Sequence, residues 1–196
     1  MPTKSKRLPK IHLDSCEQIS AYADSLKKEQ IKKLDLSHVS FTSMSAEQLS
    51  ALGKMICDAE IESLILINNN IGKLSTDCLT NLFQGLDQAK LKKWRIDSNQ
   101  LALPSFSEEH WRLLAATTSS LPSLECLSLQ YNELANQNEA QFTQFKKLVK
   151  NSYKCLITYN NWSLKQWNQI INAENEHEAP LKLDQDKDPY PGSPTP

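Results

Sequence analysis

Five cysteines, at positions 16, 57, 78, 126 and 155, and four histidines, at 12, 38, 110 and 177, are the residues best suited to ligating a metal or acting as nucleophile and base. Their spacing supports neither use. No CxxC, HExxH or HxxxH pair sets two ligands side by side, and an odd number of scattered cysteines argues against a disulfide framework. Phosphate chemistry is equally poorly served. There is no GxxxxGKS/T, GxGxxG or GxSxG, and four glycines in 196 residues leave little with which to build a phosphate-cradling loop. Neither a metal nor a cofactor is expected.

Positions for these residues come from a repeat. Ile61, Leu64, Leu66, Asn69 and Ile71 follow the spacing apolar-xx-apolar-x-apolar-xx-Asn-x-apolar. The same five points return at Leu91, Trp94, Ile96, Asn99 and Leu101, and at Leu124, Leu127, Leu129, Asn132 and Leu134. A weaker copy, Ile31, Leu34, Leu36, Val39 and Phe41, has Val in the Asn slot, which predicts a local irregularity there. Degenerate copies flank these: Leu8, Ile11, Leu13 and Cys16 at one end, Ser152, Cys155, Ile157, Asn160 and Trp162 at the other. Alternating apolar residues at the second and third points put two side chains on one face of a short strand. Asn side chains at the turn that follows satisfy backbone groups and form a ladder, Asn69, Asn99, Asn132 and Asn160.

Between the strands lie helical signals. Ser45 with Gln48, Ser105 with Glu108 and Ser163 with Gln166 have capping-box spacing, and apolar residues recur at three or four positions after each. Helices are predicted near 15–29, 45–59, 75–88, 107–119, 138–150 and 163–174. The pattern resembles the leucine-rich-repeat family, and within it the ribonuclease-inhibitor-like type, over residues 8–175. That resemblance implies an α/β solenoid of about six repeats including degenerate caps, a short right-handed arc with a parallel sheet on its concave side and helices outside. Residues 1–7 are expected to be a mobile basic arm, and 176–196 a disordered acidic and proline-rich tail.

The resemblance also implies a protein partner on the concave sheet. Three columns of residues face that side. One contains Lys33, Lys93, Cys126 and Lys154, the next Asp35, Ile65 and Arg95, the third Ile67 and Asp97. Tyr131 and Tyr159 follow at the strand exits. Ile65 and Ile67 are expected to form an exposed apolar patch and, with Arg95, Tyr131 and Tyr159, to anchor the partner, Lys33, Lys93, Asp35 and Asp97 completing the face. Cys126, beside Lys93, is expected to be a reactive thiol of lowered pKa. His12, Asp35 and Ser37 or Ser63 would lie on adjacent strands, but an open sheet offers no oxyanion donors and no water-excluding pocket, so no enzyme is expected.

Composition narrows the setting. Twenty-two basic against twenty-three acidic residues give a net charge of −1, without the basic stripe of a nucleic-acid binder. No apolar run approaches the ~20 residues of a spanning helix, and no signal peptide follows the basic start. The expected protein is a cytoplasmic, monomeric interaction module that catalyses nothing. Short length and a polar, acidic end also resemble the small leucine-rich-repeat effectors that intracellular bacteria inject into host cells. Glu174, Glu176 and Glu178 are similar to the carboxy-terminal signals read by type IV secretion machines, which would deliver the protein to the host cytosol without a Sec signal. The alternatives are an inhibitor or scaffold of the producing cell's own enzymes, or the interaction portion of a larger enzyme, against which Met1 and the proline-rich end argue.

Overall fold

In the computed structural model, which describes residues 4–7, 13, 15–151 and 154–174, short strands alternate with helices along the chain. They are β1 (Ser5–Arg7), α1 (Cys16–Lys28), β2 (Lys33–Asp35), α2 (Ala46–Asp58), β3 (Ser63–Ile65), α3 (Thr76–Gly85), β4 (Lys93–Arg95), α4 (Glu108–Ser120), β5 (Cys126–Ser128), α5 (Glu139–Asn151), β6 (Cys155–Leu156) and α6 (Leu164–Glu174). The six strands form one parallel sheet in chain order. Parallel neighbours need a long crossover, and α1 to α5 supply the five of them.

The middle residues of β2 to β5 point into the core. Leu34, Leu64, Trp94 and Leu127 stand in register and are buried against the helices. Trp94 meets Phe83 of α3 edge-on, with ring centroids 5.7 Å apart, and its indole N–H is buried without a partner. The apolar faces of α2 and α3, including Leu49, Leu52, Ile56, Leu79 and Leu82, close the same core. These two helices touch backbone to backbone. A Cβ on Gly53 would lie 2.4 Å from the Leu82 carbonyl oxygen and 2.9 Å from the Gly85 Cα, so only glycine permits the approach.

A serine starts every helix but α5, where Asn138 and Gln141 cap each other. The Ser15, Ser45 and Ser75 hydroxyls accept from the N–H groups of Gln18, Gln48 and Cys78, and Ser163 and Gln166 cap each other. At α4 the capping residue is Ser107, not Ser105. The Ser107 N–H donates to His110 Nδ1 at 3.1 Å, while the Ser105 hydroxyl bonds the Gly72 carbonyl at 2.7 Å. A pairing of serine with histidine lies outside the S/T-x-x-E/Q template, which selected the wrong serine.

Two further expectations are corrected. Residues 5–7, assigned to a mobile arm, form the edge strand, with Ser5 opposite Lys33 and Arg7 opposite Asp35. Lys6 occupies the inward register at this open end and reaches Glu29 at 2.8 Å. The turn at Val39 is regular, because its N–H is bonded by Asn69 of the next repeat at 2.7 Å. The segment 176–196 lies outside the described residues.

Candidate partner-binding face

The asparagine column fixes the spacing of everything on the sheet. Asn69 Oδ1 accepts the Val39 N–H, and Asn99, Asn132 and Asn160 accept the N–H groups of Asn69, Asn99 and Asn132 at 2.9, 2.7 and 2.7 Å. Each amide also donates one repeat back, to the carbonyls of Leu36, Leu66, Ile96 and Leu129. All four side chains are buried, so these bonds form where water does not compete. The ladder runs one way along the chain: every Asn serves the repeat before its own.

Register then aligns the concave columns. Lys33, Ser63, Lys93 and Cys126 face one another across β2 to β5, and Lys154 continues the row beyond Cys126. In the next column Asp35, Ile65, Arg95, Ser128 and Leu156 are neighbours. At the strand exits Asp97 is 1% exposed and saturated. Its carboxylate accepts from Arg95 Nε and Nη2 at 3.0 and 2.7 Å, from the Ser128 hydroxyl at 2.5 Å and from the Gln130 N–H at 3.0 Å. Gln130 in turn donates to the Thr158 hydroxyl. One charged network therefore spans three repeats.

Ile65 and Ile67 do not form the exposed patch expected of them. They are 7% and 8% exposed, although neither belongs to the core between sheet and helices. Strands ~4.8 Å apart set Asp35 and Arg95 on either side of Ile65, so its flanks face side chains of the neighbouring repeats. Cys126 is likewise half-buried. Burial pushes its thiol up, and the nearby Lys154 and Lys93 ammoniums only partly oppose that, so the expected low-pKa thiolate is overturned.

Tyr131 and Tyr159 are the exposed aromatics of this face. Their rings stack in parallel, 4.5 Å between centroids and 2° between planes. Both sit on left-handed backbone, φ 56° and 58°, at the turn where His38, Asn68 and Ser98 do the same in other repeats. In that row Asn68 Nδ2 and His38 Nδ1 are 3.0 Å apart. These are side-chain ladders like that of the asparagines, but on the surface.

Among solved structures, the crystal structure of the leucine-rich repeat-containing protein LegL7 from Legionella pneumophila is similar, with a TM-score of 0.62 at 19% identity over 88% of this chain. The fold is that of a leucine-rich-repeat solenoid. The chain spans about half of LegL7, covering 53% of it. No protein-family model and no curated protein matches the sequence. Strand, asparagine turn and helix recur in the three copies that carry Asn69, Asn99 and Asn132.

Ser37 donates to Asp35 at 2.6 Å, Ser63 lies between Lys33 and Lys93, and His12 is outside the described residues. Among the described residues no group of three or more His, Cys, Asp and Glu could hold a metal, and no helix is long and apolar enough to cross a membrane.

Several residues that matter here escaped the sequence reading. Ser128 and Gln130 complete the Asp97 site. Outside the sheet's open face, Lys32 and Lys90 pair with Glu60 at 3.4 and 2.8 Å, and Lys92 pairs with Glu62 at 2.8 Å. The signal was the same thirty-residue offset that revealed the repeat, applied to charges instead of leucines.

Proposed function

We propose that the chain is a non-catalytic, monomeric interaction module that binds a partner protein through the concave face of its sheet. The observation that carries this reading is the Asp97 network with the stacked tyrosines beside it. Arg95, Ser128 and Gln130 are fixed by Asp97, and Tyr131 and Tyr159 fix each other, so side chains of the types that dominate protein interfaces are already ordered on an open surface. Ordering before contact lowers the entropic cost of association.

The test places a photo-crosslinking residue at Ser63 on the face and, as a control, at Lys54 on the outer side of α2. Lysates of the producing cell and of animal cells are then irradiated with each variant. A defined partner joined at position 63 and not at 54 is the expected result. Capture from 54 alone would move the site to the helices.

Action inside a host cell is a further part of the proposal. It rests on the resemblance of the length and acidic end to injected effectors, together with the bacterial origin of the similar solved structure. Fusing residues 174–196 to a reporter and assaying its translocation decides between a host and the producing cell.

A further inference from the structure

Positive charge on the concave face is left unbalanced in a regular pattern. Lysines at the strand entrances have partners: Lys32 and Lys90 share Glu60, and Lys92 has Glu62. Those on the face do not. Among the described residues no carboxylate pairs with Lys33, Lys93 or Lys154, whereas Asp97, the buried acid of the same face, is taken up by Arg95. Register sets Lys93 directly opposite Cys126, and Lys154 continues the row on its other side.

The spacing of the row is as informative as its sign. Along β2 to β6 it reads Lys33, Ser63, Lys93, Cys126, Lys154, so lysines occupy alternate strands and small residues the strands between. Two strand spacings amount to ~9.6 Å. An extended chain crossing the sheet repeats a face every ~6.7 Å and falls out of step at the second contact. A helix returns to the same face after seven residues, a rise of ~10.5 Å, and the difference from the lysine spacing is well within the reach of a lysine side chain. The small side chains of Ser63 and Cys126 leave room for its backbone between contacts.

We propose that Lys33, Lys93 and Lys154 receive an acidic α-helix of the partner protein, lying across the strands and presenting a carboxylate about every seven residues. This rests on the reading that the concave sheet binds a protein. It adds the chemistry and the secondary structure of what is bound.

The probe is a fluorescein-labelled helical peptide of roughly 20 residues with glutamate at every seventh position, titrated with the full chain at low salt and followed by anisotropy. Binding is expected, weakened about tenfold when the same glutamates are distributed around the helix. Lys33→Gln, Lys93→Gln and Lys154→Gln should each weaken it by about twofold to fivefold, the range of single exposed ion pairs, while Lys92→Gln should not. No binding, equal affinity for the two peptides, or an equal loss in Lys92→Gln overturns the proposal. So does tighter binding of a DNA oligonucleotide of the same charge, or binding that emerges only after residues 176–196 are removed, which would make the chain's own acidic end the occupant. A crosslink from Ser63 without peptide binding rejects this proposal alone, and a crosslink from Lys54 without one from Ser63 rejects the binding face as well.

Discussion

Asn99 Oδ1 accepts the backbone N–H of Asn69 at 2.9 Å and that of Ile71 at 3.3 Å, so one side chain closes the turn of the preceding repeat. Its amide also donates to the carbonyls of Leu66 and Asp97, at 2.6 and 3.0 Å. In Asn99→Ala the Asn69 and Ile71 N–H groups and the Leu66 carbonyl lose this partner, while the Asp97 carbonyl keeps the Asn68 N–H, and an unsatisfied buried group costs ~1–3 kcal/mol. A loss of at least that size is expected in urea denaturation, against a change within ~0.5 kcal/mol for exposed Lys54→Ala. Equal stabilities for the two variants would show that the ladder contributes nothing.

A pH dependence follows from His110. It is buried beside Ser107, whose N–H bonds Nδ1, so the ring is neutral with Nε2–H donating to the Leu74 carbonyl at 3.1 Å. Burial holds its pKa below the usual 6.5, with the Leu74 bond and Glu109 opposing. The unfolded chain therefore takes up this proton first. Stability should be level above about pH 6.5 and fall as the pH drops below it. Gln48, Gln141 and Gln166 hold the same helix position in other repeats and likewise donate to a carbonyl of the preceding one, Leu13, Phe106 and Ala135. His110→Gln should then keep the bridge and lose the acid sensitivity. If thermal melts at pH 5 and 7.5 show the same difference in both proteins, His110 is not its source.

What could be read from the sequence was whatever the repeat imposes locally. Leu64 and Leu66 share a face because strands have a period of two, and the serine caps set helix starts to within a residue or so. Exposure on the concave side was not local. Ile65 is buried, and its strand neighbours Asp35 and Arg95 are each thirty residues away, so no window around Ile65 contains them. The first strand differs for another reason. Leu8 and Ile11 of the leading copy lie outside the described residues, and the described strand beside β2 is the polar Ser5–Arg7, whose inward residue Lys6 reaches Glu29.

Cys126 offers a measurement of the field on the face. Its thiol is raised by burial and lowered by Lys154 and Lys93, in that order. Alkylation of Cys126, followed by peptide mass spectrometry across alkaline pH, should have its midpoint above that of an ordinary thiol. Lys93→Gln removes one opposing charge and should shift the midpoint further up. A downward shift would mean that Lys93 does not lie over the sulfur.

The two isoleucines should respond unequally to the same change. A carboxylate at position 65 stands opposite Arg95, which has Nη1 left to offer while Nε and Nη2 keep Asp97, and Asp35 flanks it on the other side. At position 67 the neighbouring strand contributes Asp97, whose carboxylate already receives Arg95, Ser128 and Gln130, and a second acid there would compete for Arg95 in a site closed to water. Removing one partner of a buried charge leaves an uncompensated ion at a cost of ~3–5 kcal/mol. Ile67→Asp should approach that loss in chemical denaturation, and Ile65→Asp should lose clearly less. Both should recover part of it at acid pH, where the new carboxylates are neutral. A more damaging Ile65→Asp would mean that the aliphatic contact of Ile65, and not the charge balance around Asp97, dominates the middle of the concave face.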